Sequence, residues 1–183
     1  VSEGFEFDIP TRKDGFLATN SLTAFFTILG KAAGVVDSDN QKWKIKDDFK
    51  KDISNFVQML KFDSTVTVLY GGWSTAIAYD FESKFTEAAL GSVLLADYRN
   101  FGHGRHHWFA KRKENSAIIA LVTPEEKQIA EKTLGLIPSN IPRLFLSSEK
   151  SGANCSIDLL VKAYHVVNAV GENIKIDPGR PGV

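Results

Sequence analysis

The stretch from Thr65 to His103 constrains the fold of this chain more than any other. A β-branched run ends at Gly71-Gly72, and a helical pattern begins directly afterwards, with Ser74 or Thr75 as its N-cap. A strand, a glycine turn and a helix N-terminus, in this order, form the arrangement with which α/β proteins hold phosphate or another anion. The stretch therefore predicts a βαβ unit with an anion-friendly turn.

Three charged residues follow on the predicted helix. Asp80, Lys84 and Glu87 are spaced by four and then three residues, which places them on one face with the cation between two carboxylates. A solvated ladder of ion pairs is the plain interpretation of such a face. On a helical wheel, however, the trio borders the apolar stripe instead of opposing it. Charges at that boundary favour a cleft, so a catalytic role is the competing interpretation.

A histidine between glycines closes the unit. The second predicted strand, Ser92–Ala96, leads into His103, which Gly102 and Gly104 flank. With His106 and His107 nearby, a metal site is an alternative, but no fourth ligand or cysteine partner accompanies these histidines. We therefore predict no metal site. We expect a base, a cation and an acid to lie within one βαβ unit.

The rest of the chain extends the alternation of strands and helices. Downstream, the pattern predicts strands at Ala117–Val122 and Arg143–Ser147, a helix between them that ends near Gly135, and a last helix at Ser156–Val170. Upstream, it predicts a short strand at Phe5–Ile9, a helix that begins at Asn20 or Ser21, a linker at Val35–Lys46, and a helix carrying Phe49, Ile53, Phe56, Val57 and Leu60 on one stripe. This order predicts an α/β fold, a mainly parallel sheet with helices on both faces.

Composition excludes several classes of function. The 22 basic residues balance the 22 acidic ones, so no bulk charge indicates nucleic acid as a partner. No apolar run approaches the roughly 20 residues of a spanning helix, so we expect no membrane partner. Cys155 is the single cysteine, which suits a reducing compartment, and we expect the chain to be cytoplasmic. Gly71–Thr75 matches neither of the common nucleotide-binding glycine motifs, and no cofactor is predicted.

The charged helix and the histidine turn resemble the sugar isomerase (SIS) domain family, in particular the isomerase half of glucosamine-6-phosphate synthase. In that family, a helix carries the pattern carboxylate–x3–Lys–x2–Glu, and a histidine in a KHGP-like turn follows its glutamate by sixteen residues. The same number of residues separates Glu87 from His103. Two further segments are similar to the family: Asp14–Phe26 resembles the segment that closes the first SIS domain, and Ala163–Val166 resembles the last helix.

The resemblance implies an architecture and an assembly. It implies an SIS-type, flavodoxin-like sandwich in which residues 46–183 form the SIS domain, whereas residues 1–45 form a helical segment that resembles the end of a preceding SIS domain. Because the family's histidine can reach in from a partner subunit, a homodimer or larger assembly is implied.

The resemblance also implies roles for individual residues. Glu87 would be the base that moves a proton between C1 and C2, and Lys84 would hold and tune that carboxylate. His103 would open the sugar ring, and Asp80 takes the place of what is usually a glutamate. The implied substrate-binding residues are Thr19 and Ser21, while Ser74 and Thr75 are predicted to bind substrate because they stand at the helix start after the glycine turn.

Two functions remain open at this point. The first is aldose–ketose isomerisation, or amination or deamination, of a hexose 6-phosphate. The alternative is a non-catalytic module that binds a phosphosugar as a sensor or scaffold. Retention of the base, the cation and the histidine favours the enzyme, whereas the Ser/Thr-rich loop with which these enzymes hold the sugar phosphate is not matched in this chain, which favours the module.

Overall fold

A computed structural model of the chain describes residues 15–36 and 45–182, and a sheet of four parallel strands forms its centre. The strands are β1 (Thr65–Tyr70), β2 (Ser92–Asp97), β3 (Ser116–Val122) and β4 (Arg143–Ser147), in the spatial order β2-β1-β3-β4. Each adjacent pair is parallel. The predicted parallel α/β sheet is therefore confirmed. The strand predicted at Phe5–Ile9 and most of the predicted linker lie outside the described residues.

Seven helices occur in the described part of the chain. They are α1 (Asn20–Ala32), α2 (Asp47–Gln58), α3 (Thr75–Glu87), α4 (Tyr98–Asn100), α5 (His107–Arg112), α6 (Lys127–Gly135) and α7 (Ala153–Ile174). A π-helical turn, Phe101–Arg105, joins α4 to α5. The helix predicted to end near Gly135 does so, and the last helix is longer at both ends than its apolar stripe indicates. None of the described helices is both long and apolar enough to cross a membrane.

Helices cover both faces of the sheet, as predicted. On one face, α2, α3 and α7 pack on side chains such as Val68 and Ile119, and α1 packs against α7. On the other face, α5, α6 and the turn after β2 pack on Leu69, Ile118 and Ala120. Because β3 lies between the two layers, every one of its residues is buried.

The strand order creates a crevice at the carboxyl edge of the sheet. The chain leaves β1 for α3 on one face, whereas it leaves β3 for α6 on the opposite face. The two connections diverge between neighbouring strands, and such a switch point is where open α/β sheets bind ligands. The loops that border it are Gly71–Ser74, after β1, and the segment Thr123–Glu126, after β3.

Candidate functional site

The glycine turn after β1 is held closed by its own hydroxyls. The fully buried Ser74 hydroxyl accepts a hydrogen bond from the Gly71 N–H (3.0 Å) and donates one to the Gly71 carbonyl (2.8 Å). The Thr75 hydroxyl donates to the Gly72 carbonyl at 2.9 Å. The hydroxyls of Ser74 and Thr75, which the turn predicts as substrate-binding groups, therefore bond to backbone atoms in this chain.

A carboxyl group from the neighbouring loop lies over the same turn. A Cβ atom built on Gly72 would be 2.7 Å from Oε1 of Glu126, and the Thr123 hydroxyl donates to the other carboxylate oxygen. Burial raises the pKa of Glu126, and the charge of Glu125 raises it further. When ionised, this group repels an anion from the amides of the turn.

Glu126 belongs to a crevice of about 310 Å³ at the switch point. Tyr70, Asp97 and Arg99 also line it. Asp97 caps α4 by accepting hydrogen bonds from the backbone N–H groups of Arg99 and Asn100, both at 3.0 Å, and these bonds lower its pKa. The crevice thus holds two carboxyl groups whose pKa values are shifted in opposite directions, a pattern typical of acid–base pairs.

Sequence reasoning did not find Asp97 or Glu126. A usable signal was present, because Asp97 directly follows one predicted strand and Glu126 follows another by four residues. Polar residues at the carboxyl ends of parallel strands meet at one edge of the sheet. The adjacency of β1 and β3, which brings Glu126 to the glycine turn, is not readable from periodicity.

The structure brings Asp80 and Lys84 together between α3 and α7. The Lys84 ammonium donates to Oδ1 of Asp80, and their side chains are only 6% and 16% exposed, respectively. The ammonium also lies 5.2 Å from the centre of the Tyr164 ring on α7. Burial raises the pKa of Asp80 against the opposing effect of Lys84, and Glu87 adds to the rise. Oδ2 of Asp80 is buried without a hydrogen-bond partner among the described residues.

Glu87 and His103 do not meet within one chain. Glu87 is exposed at the end of α3, where it accepts a hydrogen bond from the Ser83 hydroxyl at 2.5 Å. The 13 residues of α3 carry the chain about 20 Å back from the carboxyl edge of the sheet. His103 is exposed in the π-helical turn, on the opposite face. A site that uses both residues would have to form between copies.

The remaining predicted residues lie elsewhere. Thr19 is the N-cap residue of α1, and its carbonyl accepts a hydrogen bond from the Thr23 hydroxyl at 2.9 Å. Ser21 lies exposed in the first turn of the same helix. The rings of His106 and His107 are 4.4 Å apart on the surface. Among residues 15–36 and 45–182, no three His, Cys, Asp or Glu side chains are grouped so that they could hold a metal ion.

A scan against protein-family models and a search of curated proteins found no match for this chain. Similarity to the SIS family therefore stays a prediction from the spacing of the motif residues, with which the parallel α/β sheet is compatible.

Proposed function

We propose that this chain is an SIS-type phosphosugar isomerase domain that acts on a hexose 6-phosphate by aldose–ketose isomerisation, or by amination or deamination. One observation carries the proposal. The helix that leaves the glycine turn of a parallel sheet holds a buried Asp80–Lys84 pair, and the exposed carboxylate of Glu87 follows within one turn. The order of these residues supports the proposal because it follows the carboxylate–x3–Lys–x2–Glu spacing of the SIS resemblance.

Each residue has a distinct part in the proposed reaction. Glu87, which solvent and substrate can reach, takes the proton from one sugar carbon and returns it to the next. Lys84 is held by Asp80, so it acts on Glu87 through its positive charge and not by contact with substrate. His103 opens the sugar ring from a second copy, since its own copy carries it on the other face of the sheet. The active form is accordingly a homodimer or a larger assembly.

A non-catalytic phosphosugar-binding module is the second candidate, and one observation favours it. The Lys84 side chain is 6% exposed and bonded to Asp80, so its ammonium is not free to meet a developing negative charge on substrate. A phosphosugar would then bind without being converted.

Proton exchange in D2O separates the two candidates. We expect the protein at high micromolar concentration to incorporate deuterium at C1 of fructose 6-phosphate, observed by NMR. Glu87→Gln should abolish incorporation, whereas the matched control Glu82→Gln, which changes a partly exposed glutamate of the same helix, should not. Saturation-transfer NMR reports binding independently.

The outcomes are distinct. Binding of the sugar phosphate without deuterium incorporation would support the non-catalytic module. Deuterium incorporation that persists in Glu87→Gln would show that Glu87 is not the catalytic base. If fructose 6-phosphate and glucose 6-phosphate neither bind nor exchange at millimolar concentration, both candidates fail.

A further inference from the structure

A second cavity lies on the other face of the sheet, away from α3. It has a volume of about 300 Å³ and lies over β1 and β2, beneath the segment that joins β2 to α5. Its lining includes Thr67, Leu94, Ala96, Phe101, Arg105 and Trp108. From its chemistry we infer that this cavity is a binding site for a small aromatic carboxylate, separate from the proposed phosphosugar site.

Thr67 supplies a hydroxyl to the cavity. This residue is at the centre of the sheet, paired with Leu94 on one side and Ile118 on the other, and it is 4% exposed. Its hydroxyl makes no hydrogen bond to any residue in the described part of the chain. Because Thr67 lines the cavity, this hydroxyl is available to hydrogen-bond a ligand there.

Arg105 makes one end of the cavity cationic. Its Nη1 donates to the carbonyl of Leu95 at 2.6 Å, which anchors the guanidinium against the edge strand. A guanidinium has five N–H donors, and this contact uses one of them. Arg105 is exposed and forms no ion pair with another described residue, and at longer range its charge helps to lower the pKa of Asp97. Its remaining N–H donors are available to a ligand carboxylate, which they match in shape.

The walls of the cavity are flat and apolar. Phe101 is 3% exposed, and Trp108 is fixed in orientation because its indole N–H donates to the Ser116 hydroxyl at 3.0 Å. A ring held in this way can stack on an aromatic ligand without losing rotamer freedom. Leu94 and Ala96 of β2 form the floor beside Thr67.

Together these features define the ligand class. A carboxylate would take hydrogen bonds from Arg105 and Thr67, while an aromatic body would fill the space between Trp108 and Leu94. The volume is at the lower end of the ~300–1,000 Å³ range of small-molecule pockets, which limits the ligand to one or two rings.

Benzoate and its neutral isostere benzamide are matched probes for this site. In 1H–15N NMR spectra, the indole N–H signal of Trp108, assigned with Trp108→Phe, should shift and saturate on titration with benzoate. We expect benzamide to bind about tenfold more weakly, because it lacks the charge that Arg105 recognises. A Trp108 signal that does not move up to the solubility limit of benzoate, or equal affinity for the two probes, would overturn the proposal.

Two substitutions test the contacts. Thr67→Val removes only the hydroxyl from a buried strand position that suits valine, and Arg105→Gln removes the charge; each should weaken benzoate binding about tenfold. Arg99→Gln is the control, since Arg99 is an exposed arginine that lines the switch-point crevice instead, and it should leave binding unchanged. Benzoate binding that neither Thr67→Val nor Arg105→Gln weakens would place the ligand elsewhere and refute the assignment.

Discussion

Replacing Lys84 by methionine should destabilise the fold far more than a surface charge replacement does. Methionine keeps an aliphatic stem against Tyr164 but removes the ammonium, and this leaves the Asp80 carboxylate, 16% exposed, without its cation. Breaking a buried ion pair from one side costs about 3–5 kcal/mol. Because Asp80 keeps some access to water and can take up a proton, we expect a loss of about 2–4 kcal/mol at pH 7.

The pH dependence identifies the cause. Burial raises the pKa of Asp80 in the folded protein, so the folded state holds this proton more strongly than the unfolded state does. The associated stability is present in acid and is lost as the pH rises from about 4 through the raised pKa. Lys84 opposes the rise in the pKa of Asp80, so in its absence the loss of folding stability at neutral pH is larger. The penalty of Lys84→Met should therefore be smaller at pH 5 than at pH 7.

Urea unfolding followed by circular dichroism measures the effect, and a double-mutant cycle isolates the pair. Asp80→Asn combined with Lys84→Met should be more stable than Lys84→Met alone, because no buried charge is left unpaired. Lys50→Met is the control: Lys50 and its partner Asp47 are 60% and 94% exposed, and its loss should cost less than about 0.5 kcal/mol. If Lys84→Met costs no more than this control, or if the double variant is no better than Lys84→Met, the pair does not stabilise α3 against α7 as described.

Three further changes have defined outcomes in the same unfolding assay. Gly72→Ala should cost about 1–2 kcal/mol because its φ is +43°, and the Glu126 carboxylate, 2.7 Å from the new Cβ, would have to shift. Gly135→Ala, whose Cβ meets nothing within 4 Å, should not destabilise, and equal effects of the two changes would contradict this. Arg143→Met should cost about 2–3 kcal/mol, because its guanidinium donates hydrogen bonds of 2.7–3.1 Å to the carbonyls of Leu134, Ile137 and Pro138 at the end of α6 and just after it. A loss below about 0.5 kcal/mol would show that these bonds do not stabilise the fold. Asp97→Ala should cost about 0.5–1 kcal/mol at pH 7. Because hydrogen bonds lower the folded-state pKa of Asp97, this cost should vanish as the pH falls below that pKa, and a cost that persists in acid would rule out capping by the carboxylate.

The sheet was predictable because its strands carry strong local signals. The β-branched run at Thr65–Tyr70 and the continuous apolar run at Ala117–Val122 are typical of strands buried between two layers, and both occur as predicted. Helix α6 likewise ends at Gly135, where the sequence predicts its end. These features depend on a few consecutive residues, so they are visible without tertiary information.

The candidate site was only partly predictable, because its neighbours are distant in sequence. Spacing places Asp80 and Lys84 on one face of a helix, but it does not reveal that α7 covers that face and buries them. Likewise, no residue near Gly71-Gly72 in the sequence indicates that the carboxyl group of Glu126 lies over this turn. Glu126 comes to lie there because β1 and β3 are neighbours in the strand order β2-β1-β3-β4. Long-range packing therefore decides which charges are available for chemistry.

Subunit mixing is the sharpest test of whether Glu87 of one copy works with His103 of another. Glu87→Gln and His103→Ala are prepared separately, mixed in equal amounts under exchange conditions, and assayed for deuterium incorporation into fructose 6-phosphate. In a two-fold dimer, half of the assemblies are mixed and each mixed dimer regains one of two sites, so about a quarter of the wild-type activity should return. If native mass spectrometry detects the mixed dimers but activity stays at the level of the separate variants, the shared site is contradicted.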